Sequence, residues 1–144
     1  MPIQFKRATL LVADLKKSLS IYKDILGFSV NYIKKSEDDS YSYPVFNLPK
    51  NAQVSFCALD SPTQKRTFAL TEVKEYKLPE QKGPRMAVLV LQVDDLKNRI
   101  SKITSLGLET LDLLKDTTDG ESYLEQAFMD FDGHLILLYE ILKK

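Results

Sequence analysis

Apolar and polar positions along the chain fall into one pattern that occurs twice. Phe5 to Val12 is apolar-rich and stops at Asp14, whose short carboxylate suits the free amide hydrogens at the start of a helix. Leu15, Leu19, Tyr22 and Leu26 then recur at helical spacing, flanked by Ser18 and Ile25, until Gly27 supplies the left-handed stop. Roughly eighty residues later the pattern returns: Met86 to Val93, a second cap at Asp95, the stripe Leu96, Ile100, Ile103 and Leu106, and a stop at Gly107. After each helix come three runs that read as strands. In the first half they are Phe28 to Lys35, Tyr41 to Asn47 and Ala52 to Leu59; in the second, Leu108 to Leu114, Ser122 to Asp130 and His134 to Leu142, with Asp119-Gly120 and Asp132-Gly133 as tight turns.

Each half therefore reads β-α-β-β-β, which predicts an α+β protein of two tandem modules. The expected layout is a single domain over 1–144, built from a module at 1–60, a connector at 61–85 and a module at 86–144. The stretch from Asp60 to Arg85 holds three of the six prolines and many charges, with a short helix weakly indicated around Thr67 to Tyr76. Strand alternation orients the modules. In the first strand Ala8, Leu10 and Val12 share one face and Arg7, Thr9 and Leu11 the other; in its copy the sets are Leu89, Leu91, Val93 and Val88, Val90, Gln92. The uniformly apolar sets ending at Val12 and Val93 should lie under the helices. The sets with Arg7, Thr9 and Gln92 should then face the concave side of a cupped mixed sheet, made of two four-stranded sheets side by side.

Composition removes several function classes. At 144 residues and 44% hydrophobic, the chain can bury one substantial core. Lys and Arg total 20 and so do Asp and Glu, so no basic excess drives phosphate binding and nucleic acid is not expected as a partner. No apolar run reaches bilayer-spanning length and Met1 to Arg7 carries no export signal, so no membrane association is expected and a cytoplasmic location is. The single cysteine, Cys57, has no internal disulfide partner, which fits a reducing compartment.

With both modules laid out, the chain resembles the vicinal oxygen chelate superfamily, which includes glyoxalase I, bleomycin-resistance proteins, fosfomycin-resistance enzymes and extradiol dioxygenases. The carriers are Leu10-Leu11-Val12-Ala13-Asp14-Leu15, Ser18 with Ile21-Tyr22, Leu26-Gly27-Phe28, and Asp130-Phe131-Asp132-Gly133-His134. The resemblance implies a cup that in catalytic members holds a divalent metal on His, Glu or Gln side chains. Carried onto this sequence, those positions fall on Arg7, Val88 and Leu137, with the remaining one near Ser55. Val and Leu offer no lone pair, Arg is a permanent cation and a lone Ser hydroxyl binds poorly, so no metal or other cofactor is expected there. The resemblance also implies a homodimer; the connector permits intrachain or swapped pairing, and the sequence does not choose between them.

The expected cup lining is Arg7, Thr9, Leu11, Gln53, Ser55, Cys57, Val88, Val90, Gln92, Leu135, Leu137 and Tyr139, with no catalytic residue assigned. His134, the one histidine, reads as a hairpin residue and Cys57 as packing. Of Asp14, Asp94 and Asp95, two read as helix caps and none is expected to point into the cup, and Glu121, Glu125 and Asp130 read as solvated charges. The function expected is a bleomycin-resistance-like protein that binds a small, anionic and partly aromatic molecule without a metal. Arg7 would pair with a ligand carboxylate or phosphate, because its charge is costly to bury unpaired. The alternatives are a lyase, isomerase or dioxygenase similar to glyoxalase I with its metal elsewhere, which would need a Lewis acid, and a module that binds another protein.

Overall fold

The computed structural model describes residues 1–143; Lys144, the last residue of the expected second module, lies outside the described residues. The chain divides into two units, Met1–Pro79 and Glu80–Lys144. The first contains β1 (Ala8–Val12), α1 (Leu15–Leu19) running into a π-helical turn (Ser20–Ile25), β2 (Ser29–Lys35), α2 (Ser42–Val45), β3 (Gln53–Asp60) and β4 (Phe68–Lys74). The second contains β5 (Leu89–Gln92), α3 (Leu96–Ser105), β6 (Leu114–Thr118), β7 (Glu121–Met129) and β8 (Leu135–Ile141). Their sheets have the same order, β1-β4-β3-β2 and β5-β8-β7-β6, with one parallel pair and two antiparallel pairs in each. The duplicated α+β plan is thus borne out.

Two expected elements are different. Tyr41 to Asn47 is not a strand: Pro44 has no N–H to give a ladder, and the segment turns as α2, which buries Tyr43 with its hydroxyl donating to the Ala52 carbonyl at 2.9 Å. The fourth strand of the unit is β4, inside the stretch read as connector and weakly as helix. Charges and prolines on either side mask it, yet Phe68 to Thr71 are all buried because β4 lies between β1 and β3. The first module therefore extends past 60, and the connector is correspondingly shorter. Further on, Leu108 to Leu114 is only partly a strand. Glu109 and Leu111 bond to Met129 and Ala127 of β7, and regular pairing resumes at Leu114.

The two helices start in the same way, by a device absent from the sequence reading. Leu15 N–H donates to the Glu72 carboxylate at 2.7 Å, and Leu96 N–H to the Glu140 carboxylate at 2.9 Å. Each glutamate comes from the strand paired with the opening strand and satisfies an amide hydrogen that has no partner within its helix. Asp14 also caps as expected, accepting from Lys17 N–H at 3.1 Å. Asp95 does not: it takes a left-handed φ of 53°, and its side chain makes no cap bond. Asp94 instead holds Arg99 at 2.5 Å, and this contact lowers the Asp94 carboxyl below its ordinary range. The helix-side faces form the core, with Val12, Leu59, Phe68 and Leu70 under Ile21 and Tyr22 in the first unit. In the second, Leu124, Phe128, Ile136 and Leu138 lie on the face that carries Leu96, Ile100 and Ile103.

Candidate ligand-binding faces

Register assigns the expected lining residues to faces, with Arg7 and Val88 lying one residue before β1 and β5. Ala8, Leu10 and Val12 pair with Phe68, Leu70 and Glu72, which pair in turn with Leu59, Cys57 and Ser55. Cys57, Ser55 and Gln53 therefore belong to the helix side, opposite to expectation. The slip has a physical origin: β3 is an inner strand buried on both faces, so its run of apolar residues carries no in-out signal. Cys57 is fully buried, and burial pushes its thiol up to about 11, which makes it packing rather than a nucleophile.

The helix-free face of the first unit carries Arg7, Thr9 and Leu11 as expected, together with Val54, Phe56 and Ala58 from β3, Ala69, Thr71 and Val73 from β4, and Tyr32 and Lys34 from β2. One end of it is closed, because Leu11, Val54 and Val73 pack with Tyr43, Leu48 and Ala52. Toward the other end the Arg7 guanidinium carbon lies 5.6 Å from the centre of the Phe56 ring, and Tyr32 stands 5.9 Å from Phe56 at a 39° tilt. Thr9 and Thr71 share a hydroxyl hydrogen bond of 3.1 Å. Arg7 Nε is shielded from solvent and has no hydrogen-bond partner among the described residues. Phe56, Tyr32 and Thr71 are missing from the expected lining; a correct face for β3 would have found the first.

In the second unit the expected set shares one face. Val88 and Val90 are 44% and 57% exposed, Leu135, Leu137 and Tyr139 are half-buried, and Gln92 is exposed. Tyr139 pairs its ring with Tyr123 at 5.1 Å. Partial desolvation, Glu121, Tyr123 and Glu125 together raise the Tyr139 hydroxyl above its ordinary value. The Asp132-Gly133-His134 turn is structural, since the Asp130 carboxylate accepts from Asp132 N–H and His134 N–H at 3.0 and 2.9 Å. Asp130 is buried rather than solvated.

The same register corrects the metal-ligand positions. Val90 pairs with Leu137 where Thr9 pairs with Ala69, so the counterpart of Leu137 is Ala69 rather than Ser55. Arg7, Ala69, Val88 and Leu137 hold no lone pair for a divalent ion, and among the described residues no cluster of three or more His, Cys, Asp or Glu side chains could hold one. The donor set at these positions does not fit a metal.

The sequence profile of the Glyoxalase/Bleomycin resistance protein/Dioxygenase superfamily matches residues 4–138. The chain belongs to that superfamily. No curated protein sequence matches it significantly. Among solved structures, it is similar to a glyoxalase family protein from Bacillus cereus (TM-score 0.76, 14% identity, 99% of this chain and 97% of that one). It is also similar to the trypanothione-dependent glyoxalase I of Leishmania major (0.63, 16%, 96% and 87%). A third likeness is to a fosfomycin resistance protein from Listeria monocytogenes, solved with manganese(II) and sulfate (0.58, 19%, 97% and 93%). At these identities the likeness is one of fold. No helix among the described residues is long and apolar enough to cross a membrane.

Proposed function

We propose that this superfamily member binds a small anionic, partly aromatic molecule on its helix-free faces, without the divalent ion used by catalytic relatives. The observation that carries the reading is Arg7. It occupies the place where a metal ligand is usual, and its Nε lies out of solvent with no acceptor. A buried donor left unpaired costs about 1–3 kcal/mol, and more when charged, so the site is completed by a ligand that brings the acceptor. Beside Arg7 in the first unit, Phe56 and Tyr32 offer aromatic surface and the Thr9 hydroxyl a sparse polar contact. We further take the chain to work as a homodimer, as members of the superfamily often are, and to reside in the cytoplasm.

Thermal melts of the purified chain test the reading. Saturating aromatic carboxylates should raise the melting temperature in the presence of a chelator, by about 2.7 kcal/mol of stability at a hundredfold excess over Kd. Zinc, nickel, manganese or iron(II) should add nothing. Tight stoichiometric binding of one of these ions, with a raised melting temperature, would move the protein to the lyase, isomerase or dioxygenase class. Light scattering reports the oligomeric state.

A further inference from the structure

We infer that the anion taken at Arg7 is a single carboxylate carried on a flat aromatic body, with the carboxylate edge-on to Arg7 Nε–H and the ring beside Phe56 and Tyr32; this rests on the small-molecule reading above and names its ligand class. Nε shares one edge of the guanidinium with a terminal nitrogen, and the two oxygens of a carboxylate match that fork. The unit's own nearby acids are committed elsewhere. Glu72 accepts from Leu15 N–H on the helix side, and Asp60 accepts from Arg66 N–H at 2.7 Å and from Asn31 at 3.1 Å. Among the described residues, the one acid at a strand position of this helix-free face is Asp60, at the end of β3, and its carboxylate is taken up by Arg66 N–H and Asn31 rather than by Arg7.

Charge and shape narrow the class. Lys34, the other cation on this face, is exposed to water, so Arg7 alone presents a partly desolvated positive charge. One such charge balances a monoanion; a phosphate dianion would leave its second charge desolvated and unpaired. The Phe56 ring lies beside the guanidinium, and Tyr32, 38% exposed, extends the aromatic surface toward solvent. On the same face the Thr9 hydroxyl, bonded to the buried Thr71 hydroxyl at 3.1 Å, is a further polar contact.

The test is calorimetric titration of the full chain, in chelator, with naphthoate, naphthamide, decalin carboxylate and naphthyl phosphate. Naphthoate should bind at least about tenfold more tightly than each of the others. Arg7→Gln should abolish the preference for carboxylate over amide, and Phe56→Leu should abolish the preference for the aromatic ring while leaving the charge preference. Arg7→Lys keeps the charge without the fork and should bind carboxylate and phosphate alike. Equal or tighter binding of naphthamide, decalin carboxylate or naphthyl phosphate to the wild-type chain would overturn the inference and leave a small-molecule binding protein. Failure of all four to bind or to raise the melting temperature would overturn the binding reading as well. The wild-type ranking decides even where a variant does not fold.

Discussion

The two units are copies, and register lets them be compared position by position. On the helix side the pairs keep their character: Leu10 and Leu91, Val12 and Val93, Leu70 and Leu138, Phe68 and Ile136, Glu72 and Glu140. On the helix-free side they change: Arg7 against Val88, Thr9 against Val90, Leu11 against Gln92, Ala69 against Leu137, Thr71 against Tyr139 and Phe56 against Glu125. The first unit's free face carries two cations, Arg7 and Lys34, against the acid Asp60 at the end of β3; the second's carries Glu121 and Glu125 around its tyrosine pair. The contrast separates two demands on one plan. Packing under a helix and starting that helix demand the same residues twice. The proposed ligand chemistry would place different residues in each copy.

The largest test of this contrast is in the cores. Leu70→Ala and Leu138→Ala occupy matching, fully buried positions and should each cost about 2–5 kcal/mol in urea unfolding. A large inequality between them would show that the helix sides are not equivalent supports.

Next comes a difference on the helix side itself, where Cys57 corresponds to the non-titrating Gln126. Raising the thiol from an ordinary 9.0 to about 11 in the folded chain means that the unfolded chain ionises first. The stabilising effect is complete below about pH 9 and is lost as pH rises to about 11, by up to about 3 kcal/mol. Cys57→Ala should flatten that part of the pH profile relative to the native chain, and iodoacetamide should modify Cys57 only on unfolding.

Glu72→Gln and Glu140→Gln should each cost about 1–2 kcal/mol, because each weakens a charge-assisted bond to a helix-start amide. Equal losses would confirm that the device is duplicated in energy as well as in geometry. The smallest stability effect belongs to the free face: Arg7→Met should leave stability unchanged or raise it by up to about 1 kcal/mol, while naphthoate binding is lost.

How much of this was legible in the sequence follows the same division. The duplication, the helix stripes apart from the exposed Leu106, the Asp14 cap, the Gly27 and Gly107 stops and the free face of the second unit were all readable. Periodicity and turn chemistry are local signals, and they sufficed there. β4 was hidden because its neighbours are charged and proline-rich, although Pro44 already argued against a strand at Tyr41 to Asn47. The face of β3 was not readable, since an inner strand buried on both sides alternates only with respect to its partners. Phe56 was missed with it. Glu72 and Glu140 look like ordinary strand-end charges until the pairing brings them to Leu15 and Leu96.

The central claim is that Arg7 stands in place of a metal and receives the ligand's anion. Isotope-labelled arginine side-chain NMR reads it directly, with the Arg7 Nε–H signal assigned by its loss in Arg7→Lys. In chelator, naphthoate should shift that signal downfield and slow its exchange with water as binding saturates. A signal that stays in place while naphthoate binding saturates, or while the chain takes up a stoichiometric divalent ion, would contradict the account.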